Sequence, residues 1–576
     1  MMIEGKSPTK DIDSDELDSI SPAKPFTIRG FELNQPSPQK LVRNLPRRIS
    51  EPPSPTRQTV DYWEITELSG CTPSLQVALQ TKEDGTALWW GGRFGSPLDV
   101  FEDCVDNLPQ LIHEQKLDKA LENLPNLELF ASSHQQLSLK TEFENATFGH
   151  SSTCFCSQDG NTVTVFLQND VQRERAFALF SFIANAYVFS RPKTNSNLPI
   201  SLPAKIAEPL NRLANHIGRK PIVDYACCVL NNWTLKDARK PFCLENIEPI
   251  RTFTGDFAEK WFYMVHAVIE HQGGRALHNM IAGKESINDF LSFAQLPSTE
   301  AGLALLKIRQ HVANYTMEAV KESPKQLAGR SFDFELEATR VTTSVVHNLQ
   351  ELYKSLEEIL KTMKRLEDNC PPMNFYHDIR PWLSSWPDKG IIYQTYCDCS
   401  YEKKKRPDLM EPKKFSGASG AQSSLLPCID AFLGIAYKTS SKARTELGAF
   451  IRQLEAFRQS MPPSHRKLIG DFENKKNVRD FINAIEQHSK NLEDKLLRVK
   501  YEYNKCIQVL CKFRQHHNDF ATKYIKQMAL SDNKTVNTRL STQGTGGTDF
   551  ATHLLHHLQD TKKSLYEIDA ARSRFE

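Results

Sequence analysis

This sequence predicts a mainly α-helical protein: a large all-helical domain over residues 253–576, preceded by a smaller mixed α/β domain over residues 60–252. Three observations carry that expectation. Leu349, Leu352, Leu356, Ile359, Leu360, Met363 and Leu366 keep three-and-four spacing, the period of one buried helix face. Cys506, Val509, Leu510, Phe513, Ala521, Tyr524 and Ile525 repeat that period near the C-terminus. Period-two alternation is plain only in NTVTVFLQ (161–168), which reads as a strand.

Taken in order, residues 1–59 form a Ser/Pro-rich tail with four Ser-Pro steps, at Ser7, Ser21, Ser37 and Ser54. Its composition buries too little apolar surface to offset ordering entropy, so it reads as disordered. RRISEPPSPTR within it reads as a plain disordered tail or as a phosphorylation or docking segment. LPQLIHEQKLDKALENL (108–124) reads as one helix. The stretch between Ser132 and Asp170 reads as an insertion with a few strands of its own. Ala176 to Phe189 suits a buried core helix, although Ser181 and Asn185 interrupt it. The 349–366 helix ends at Pro371 and Pro372, since proline supplies no N–H to the helical ladder. Gly, Ser and Thr gather in FSGASGAQSS (415–424) and STQGTGGTD (541–549), and no long internal repeat stands out.

Composition excludes several classes. Lys+Arg 72 against Asp+Glu 70 leaves a formal net charge of +2, which gives no large electrostatic footprint for nucleic acid and leaves room only for a local patch. No stretch reaches the roughly 20 apolar residues of a membrane span. MMIEGKSPTKDIDSDELDS is acidic and polar, unlike a signal peptide. The thirteen cysteines follow no disulfide-like spacing and include no C-x-x-C pair, which points to a reducing compartment and a cytoplasmic protein.

His517 falls on the apolar face of the 506–525 pattern, one turn beyond Phe513. A neutral imidazole aimed into an apolar cavity is what a haem iron needs as its proximal ligand. On spacing alone, a satisfied core histidine is the plainer reading. Arg514, three residues earlier, projects close to it and suits a haem propionate. In EKWFYMVHAVIEH, Phe262 and His266 are four apart and face one way. They form an aromatic wall beside a hydrogen-bonding group, or one side of a buried helix with a surface histidine. In NFYHDIRPWLSSW, Arg380 lies among Phe375, Tyr376 and tryptophans. It suits either a ligand carboxylate or a structural ion pair. GTGGTD lacks the Walker lysine and reads better as a flexible lid than as a phosphate cradle. His516 and His517, adjacent on a helix, point about 100° apart and cannot share one ion.

The ordered series YACCVLNNW, WFYMVHAVIE, FYHDIRPWLSSW, FSGASGAQSSLLPCIDAFLGI, MPPSHRKLI, FRQHHNDFATKYI and GTGGTD resembles an indoleamine 2,3-dioxygenase. The resemblance runs from roughly residue 100 to 570, outside the insertion near 132–170. It implies a helical haem-binding domain with haem b, and cleavage of the indole ring of L-tryptophan by dioxygen. By matched motif, it implies His517 as proximal ligand, five residues before the Thr of TKYI. Arg514 would contact a propionate and pair with Asp430. Phe262 and Tyr263 would wall the distal side, and Tyr225 and Cys228 would line the indole pocket. Phe375 and Arg380 would hold the amino-acid end, with Arg380 on the carboxylate. Ser419 would lie beside the haem edge, and Thr545 in the mobile 541–549 loop would close over substrate.

The chain departs from that family at several points. His266 stands where vertebrate members often carry Ser, and it suits accepting a hydrogen bond from the indole N–H. GASGAQSS replaces the usual GGSAGQSS, with Ala418 among the exchanged small residues, and YACC replaces YADC, which puts Cys227 in place of an acid. The implied partners are L-tryptophan, dioxygen and an electron donor to the haem, with no nucleic acid and no membrane, acting on a monomer. Two other readings stay open: a catalytically weak haem or tryptophan sensor on the same fold, and an interaction scaffold with a vestigial pocket.

Overall fold

In the computed structural model, the described residues are 98–130, 162–167, 170–191, 198–293, 334–395, 411–435, 454–531, 544–545 and 550–568. The 1–59 tail, nearly all of the 132–170 insertion and most of the 541–549 loop lie outside them. The chain is mainly helical, as the spacing predicts.

The first described elements are α1 (Asp99–Asp106), α2 (Leu108–His113) and α3 (Leu117–Glu122). Sequence analysis expects one helix across the last two. The chain breaks instead at Gln115, whose φ of 54° lies in the left-handed region. Leu108 and Leu117 are nine residues apart, so one straight helix would point them about 180° apart. The break lets both bury in the core. β1 (Asn126–Phe130) and β2 (Thr162–Phe166) pair in parallel, with Asn126 opposite Thr162. β2 is the strand expected in 161–168.

α4 (Asp170–Phe189) contains the expected core helix and is buried throughout its middle. Its Asn185 is satisfied rather than stranded. Nδ2 donates to the Trp382 carbonyl (3.0 Å), and Oδ1 accepts from the Val223 N–H (3.3 Å). One buried amide therefore ties two distant segments that both reach the site. Next come β3 (Ile200–Leu202), α5 (Ala204–Ile217), a π-helical turn (Ala226–Leu230), and the antiparallel pair β4 (Thr234–Leu235) and β5 (Ile247–Glu248).

Three long helices organise the rest: α6 (Phe257–Phe293), α7 (Phe334–Lys364) and, further on, one spanning Glu493–Ala521. α7 lies between the other two. Its leucine stripe is wholly buried, from Leu349 at 0% to Leu366 at 7% exposure. The regular helix ends at Lys364 and a short turn, Leu366–Asn369, carries the chain to the predicted stop at Pro371. β6 (Ile391–Tyr393) pairs in parallel with β3. α8 (Leu425–Leu433), α9 (Pro463–Asn474) and α10 (Val478–His488) pack beside α6 or one another, then α11 is the Glu493–Ala521 helix, and α12 (Phe550–Lys562) lies on it. The described residues pack as one compact unit, across the expected boundary at 252/253. Among them no helix is long and apolar enough to cross a membrane.

Polar anchors hold the helix starts. Glu259 in the first turn of α6 accepts from the Phe253 N–H (2.8 Å), the Thr254 N–H (2.7 Å) and the Tyr263 hydroxyl (2.9 Å). Asn477 caps α10 by accepting from the N–H groups of Arg479 (3.0 Å) and Asp480 (3.1 Å). Gly434 ends α8 with φ 70°, and a Cβ there would lie 2.4 Å from Oδ1 of that same Asn477. Gly434→Ala combines left-handed strain with a clash against the α10 cap. It should therefore cost about 1–3 kcal/mol, read as a lower denaturation midpoint at unchanged slope.

Candidate functional site

Helices α6, α7 and α11 enclose a cavity of about 320 Å³, closed at its ends by α8, α12 and the turns between them. That volume lies within the range of small-molecule and cofactor sites. α6 supplies Phe262, Val265, His266, Ile269 and Glu270, the face that 3.6-residue periodicity turns one way. The rings form a chain across the wall. Phe262 lies 4.6 Å from the His266 ring and 5.0 Å from Phe375, which in turn lies 5.8 Å from Tyr524. Tyr225 meets His266 edge-on at 6.3 Å. Phe262 and His266 thus lie side by side in the cavity lining, the His266 ring part-buried among aromatic side chains.

The state of His266 follows from its bonds. Nδ1 lies 2.8 Å from the Phe262 carbonyl, which only accepts, so Nδ1 carries the hydrogen. Burial lowers the His266 pKa, and the hydrogen bond to Phe262 only partly offsets that. The ring is neutral at pH 7, and Nε2 is left as an acceptor.

His517 lines the opposite side from α11, between Phe513 and Phe520. Burial pulls its pKa down to about 4, with His266, Arg514 and His516 adding to the effect. It is therefore a neutral imidazole with a free lone pair to offer. Behind it, Arg514 makes a two-pronged contact with Asp430 of α8, both bonds 2.7 Å. It also donates to the His557 carbonyl (3.2 Å) and to Thr561, both on α12. The resemblance-implied pair of Arg514 and Asp430 is present, one turn from His517 and outside the cavity lining.

The remaining wall comes from irregular segments. Phe375 lies in a π-helical turn (Phe375–Ile379) and Arg380 opens a 3-10 turn (Arg380–Leu383). The GASG turn lies against that segment because Gly417 has no Cβ. One there would come within 2.1 Å of the Leu383 carbonyl oxygen. Gln422, 1% exposed, then organises the turn. Its Oε1 accepts from the N–H groups of Tyr225 (2.8 Å) and Ser419 (3.3 Å), and Nε2 donates to the Gly417 carbonyl (3.0 Å). Ser419, Gly420 and Ser423 reach the cavity from this turn. Thr545 lines it too, and its carbonyl accepts from both the backbone N–H and the hydroxyl of Ser385, each 3.1 Å.

Other residues singled out in the sequence lie elsewhere. Tyr263 points away, bonded to Glu259, and Cys228 is fully buried beside it rather than in the lining. Arg380 is half-buried outside the lining, its guanidinium 5.0 Å from the Tyr376 ring centre. Cys227 touches buried Arg219 (3.3 Å), which also bonds Asp224 (2.8 Å from Nε) and Glu174. Sequence reasoning passed over Glu270 and Ser423. Glu270 repeats the Phe262–His266 interval once more and was findable from that; nothing in the sequence links it to Ser423.

The donor set fits a cofactor that brings most of its own ligands. Among the described residues no group of three or more His, Cys, Asp or Glu could hold a bare ion. One neutral imidazole in an apolar wall suits the axial position of haem. Gly420 adds clearance, since a Cβ there would meet nothing within 4 Å.

The model of the family "Indoleamine 2,3-dioxygenase" matches residues 162–325 and 332–564. Indoleamine 2,3-dioxygenase 1 of Rattus norvegicus is 27% identical over 469 residues, 80% of this chain and 87% of the rat protein. Indoleamine 2,3-dioxygenase of Saccharomyces cerevisiae is 27% identical over 364 residues, 61% of this chain and 64% of the yeast protein. Indoleamine 2,3-dioxygenase 2 of Homo sapiens is 27% identical over 366 residues, 62% of this chain and 70% of the human protein. The matched residues take in both the Phe262–His266 wall and the His517 helix, and the chain belongs to the indoleamine 2,3-dioxygenase family.

Proposed function

We propose that this protein is a haem-dependent dioxygenase that inserts both atoms of dioxygen across the indole C2–C3 bond of L-tryptophan, giving N-formylkynurenine. The observation that carries the reading is the neutral His517 imidazole facing the Phe262–His266 wall across an apolar cavity. His517 would hold the haem iron, Arg514 would contact a propionate while paired with Asp430, and Ser419 would lie beside the bound group. Bound haem supplies the activation of dioxygen.

The chain's own part is binding, orientation and exclusion of water. Phe262, Phe375 and Tyr225 offer faces and edges against which an indole packs. His266 Nε2 accepts the indole N–H, and its neutral state means it takes no proton from solvent near pH 7. Arg380 would grip the substrate carboxylate from the segment whose Ser385 bonds Thr545 of the lining. Cys228 and Tyr263 back the wall from behind. The protein works as a cytoplasmic monomer fed by an external reductant.

The deciding experiment is to reconstitute the full chain with haem and supply L-tryptophan, oxygen and a reductant. N-formylkynurenine is the expected product. Bound haem and bound tryptophan without product would replace this reading with a sensor on the same fold.

His517→Ala should lose the axially ligated haem spectrum, and an unchanged spectrum would remove His517 from that role. His266→Ala should weaken L-tryptophan affinity roughly tenfold, the worth of one hydrogen bond, while kcat changes little. A fall in kcat alone would contradict a binding role. Arg380→Ala should cost about 2–5 kcal/mol of transition-state stabilisation with L-tryptophan. Carboxylate-free indoles should lose little, and an equal loss on both would mark a structural arginine.

A further inference from the structure

Glu270 lies one turn beyond His266 on the cavity face of α6 and is 2% exposed. No role has yet been given to it. The Tyr225 hydroxyl donates to its Oε1 (2.9 Å), and the Ser423 side chain lies near enough to the carboxyl to lower its pKa. Ser423 Oγ itself accepts from the Leu425 N–H (3.2 Å), which leaves its hydrogen to point at the carboxyl. One carboxyl thus joins α6, the π-helical turn and the end of the GASG turn.

Tyr225 is gripped at both ends by this arrangement. Gln422 holds its backbone N–H, Glu270 holds its hydroxyl, and its ring edge meets His266. We propose that Glu270 is a positioning residue for the substrate pocket: through Tyr225 it fixes the ring wall and His266, and its protonation state sets ligand affinity. This rests on the proposed tryptophan-binding reading of the cavity.

The sign of the effect follows from burial. Removal from water raises the Glu270 pKa to about 7, against the hydrogen bonds from Ser423 and Tyr225 that lower it. A ligand filling the cavity lowers the polarity of the surroundings of an already buried carboxyl, which disfavours the anion. Binding therefore favours the protonated form, and affinity falls as pH rises through about 7. The other ionisable groups facing the cavity are His266 on the same helix, Tyr225 just before the π-helical turn, His517 on α11, Tyr524 just beyond α11 and His557 on α12. Burial already holds His266 and His517 neutral.

The test is L-tryptophan affinity of the haem-reconstituted full chain, measured by titration between about pH 6 and about pH 8. Wild-type affinity should fall, by at most roughly tenfold per pH unit above the break. Glu270→Gln keeps an acceptor for Tyr225 but not the titration, so its profile should be flat. Tyr225→Phe removes a bond that favours the anion, so its break should move upward. That second variant decides the matter if Glu270→Gln does not fold. A wild-type protein that binds tryptophan with a flat profile, or a Tyr225→Phe break that stays in place, overturns the proposal. No tryptophan binding by the wild type overturns the functional reading along with it.

Discussion

The buried contact between Arg514 and Asp430 is the interaction on which the site depends. It joins α11, which carries His517, to α8, and the remaining donors of Arg514 reach α12. A guanidinium removed from water is tolerable only when nearly every donor has a partner, and losing one partner of such a pair costs on the order of 3–5 kcal/mol. The three helices are therefore held in one arrangement. His517, three residues on, inherits its direction from it.

The opposite wall is fixed by side-chain hydrogen bonds. Gln422 holds Tyr225 and the GASG turn together, Asn185 ties the Val223 and Trp382 segments, and Glu259 anchors the start of α6. Each of these side chains is buried, where a satisfied polar group specifies one geometry and an unsatisfied one is costly. One side of the cavity is thus set by an ion pair and the other by amides and carboxyls. Between them the apolar and aromatic side chains need only fill space.

The departures from the family pattern fall into this scheme. Cys227, where the family pattern carries an acid, lies against buried Arg219, whose carboxylate partners here are Asp224 and Glu174. His266, with its hydrogen on Nδ1 committed to its own helix, keeps a fixed tautomer and presents a lone pair.

The sequence by itself determined the helical class, the buried stripe of α7, the core helix in α4, the strand at 162–166 and the shared face of Phe262 and His266. All of these follow from local periodicity, which a side chain's spacing along one element dictates. His517 was legible as a residue on an apolar face, and only the tertiary structure decided that this face meets a cavity rather than solid core. The break at Gln115 was hidden because both halves of the segment are good helix; the need to bury Leu108 and Leu117 on one side arises only against α4 and its neighbours. Tyr263 and Cys228 look like pocket residues in sequence, yet Glu259 draws the tyrosine to the far side of α6. The joining of Tyr225, Glu270 and Ser423 was equally illegible. Residues 45 and more positions apart meet only when separate elements pack, and no local propensity records such a meeting.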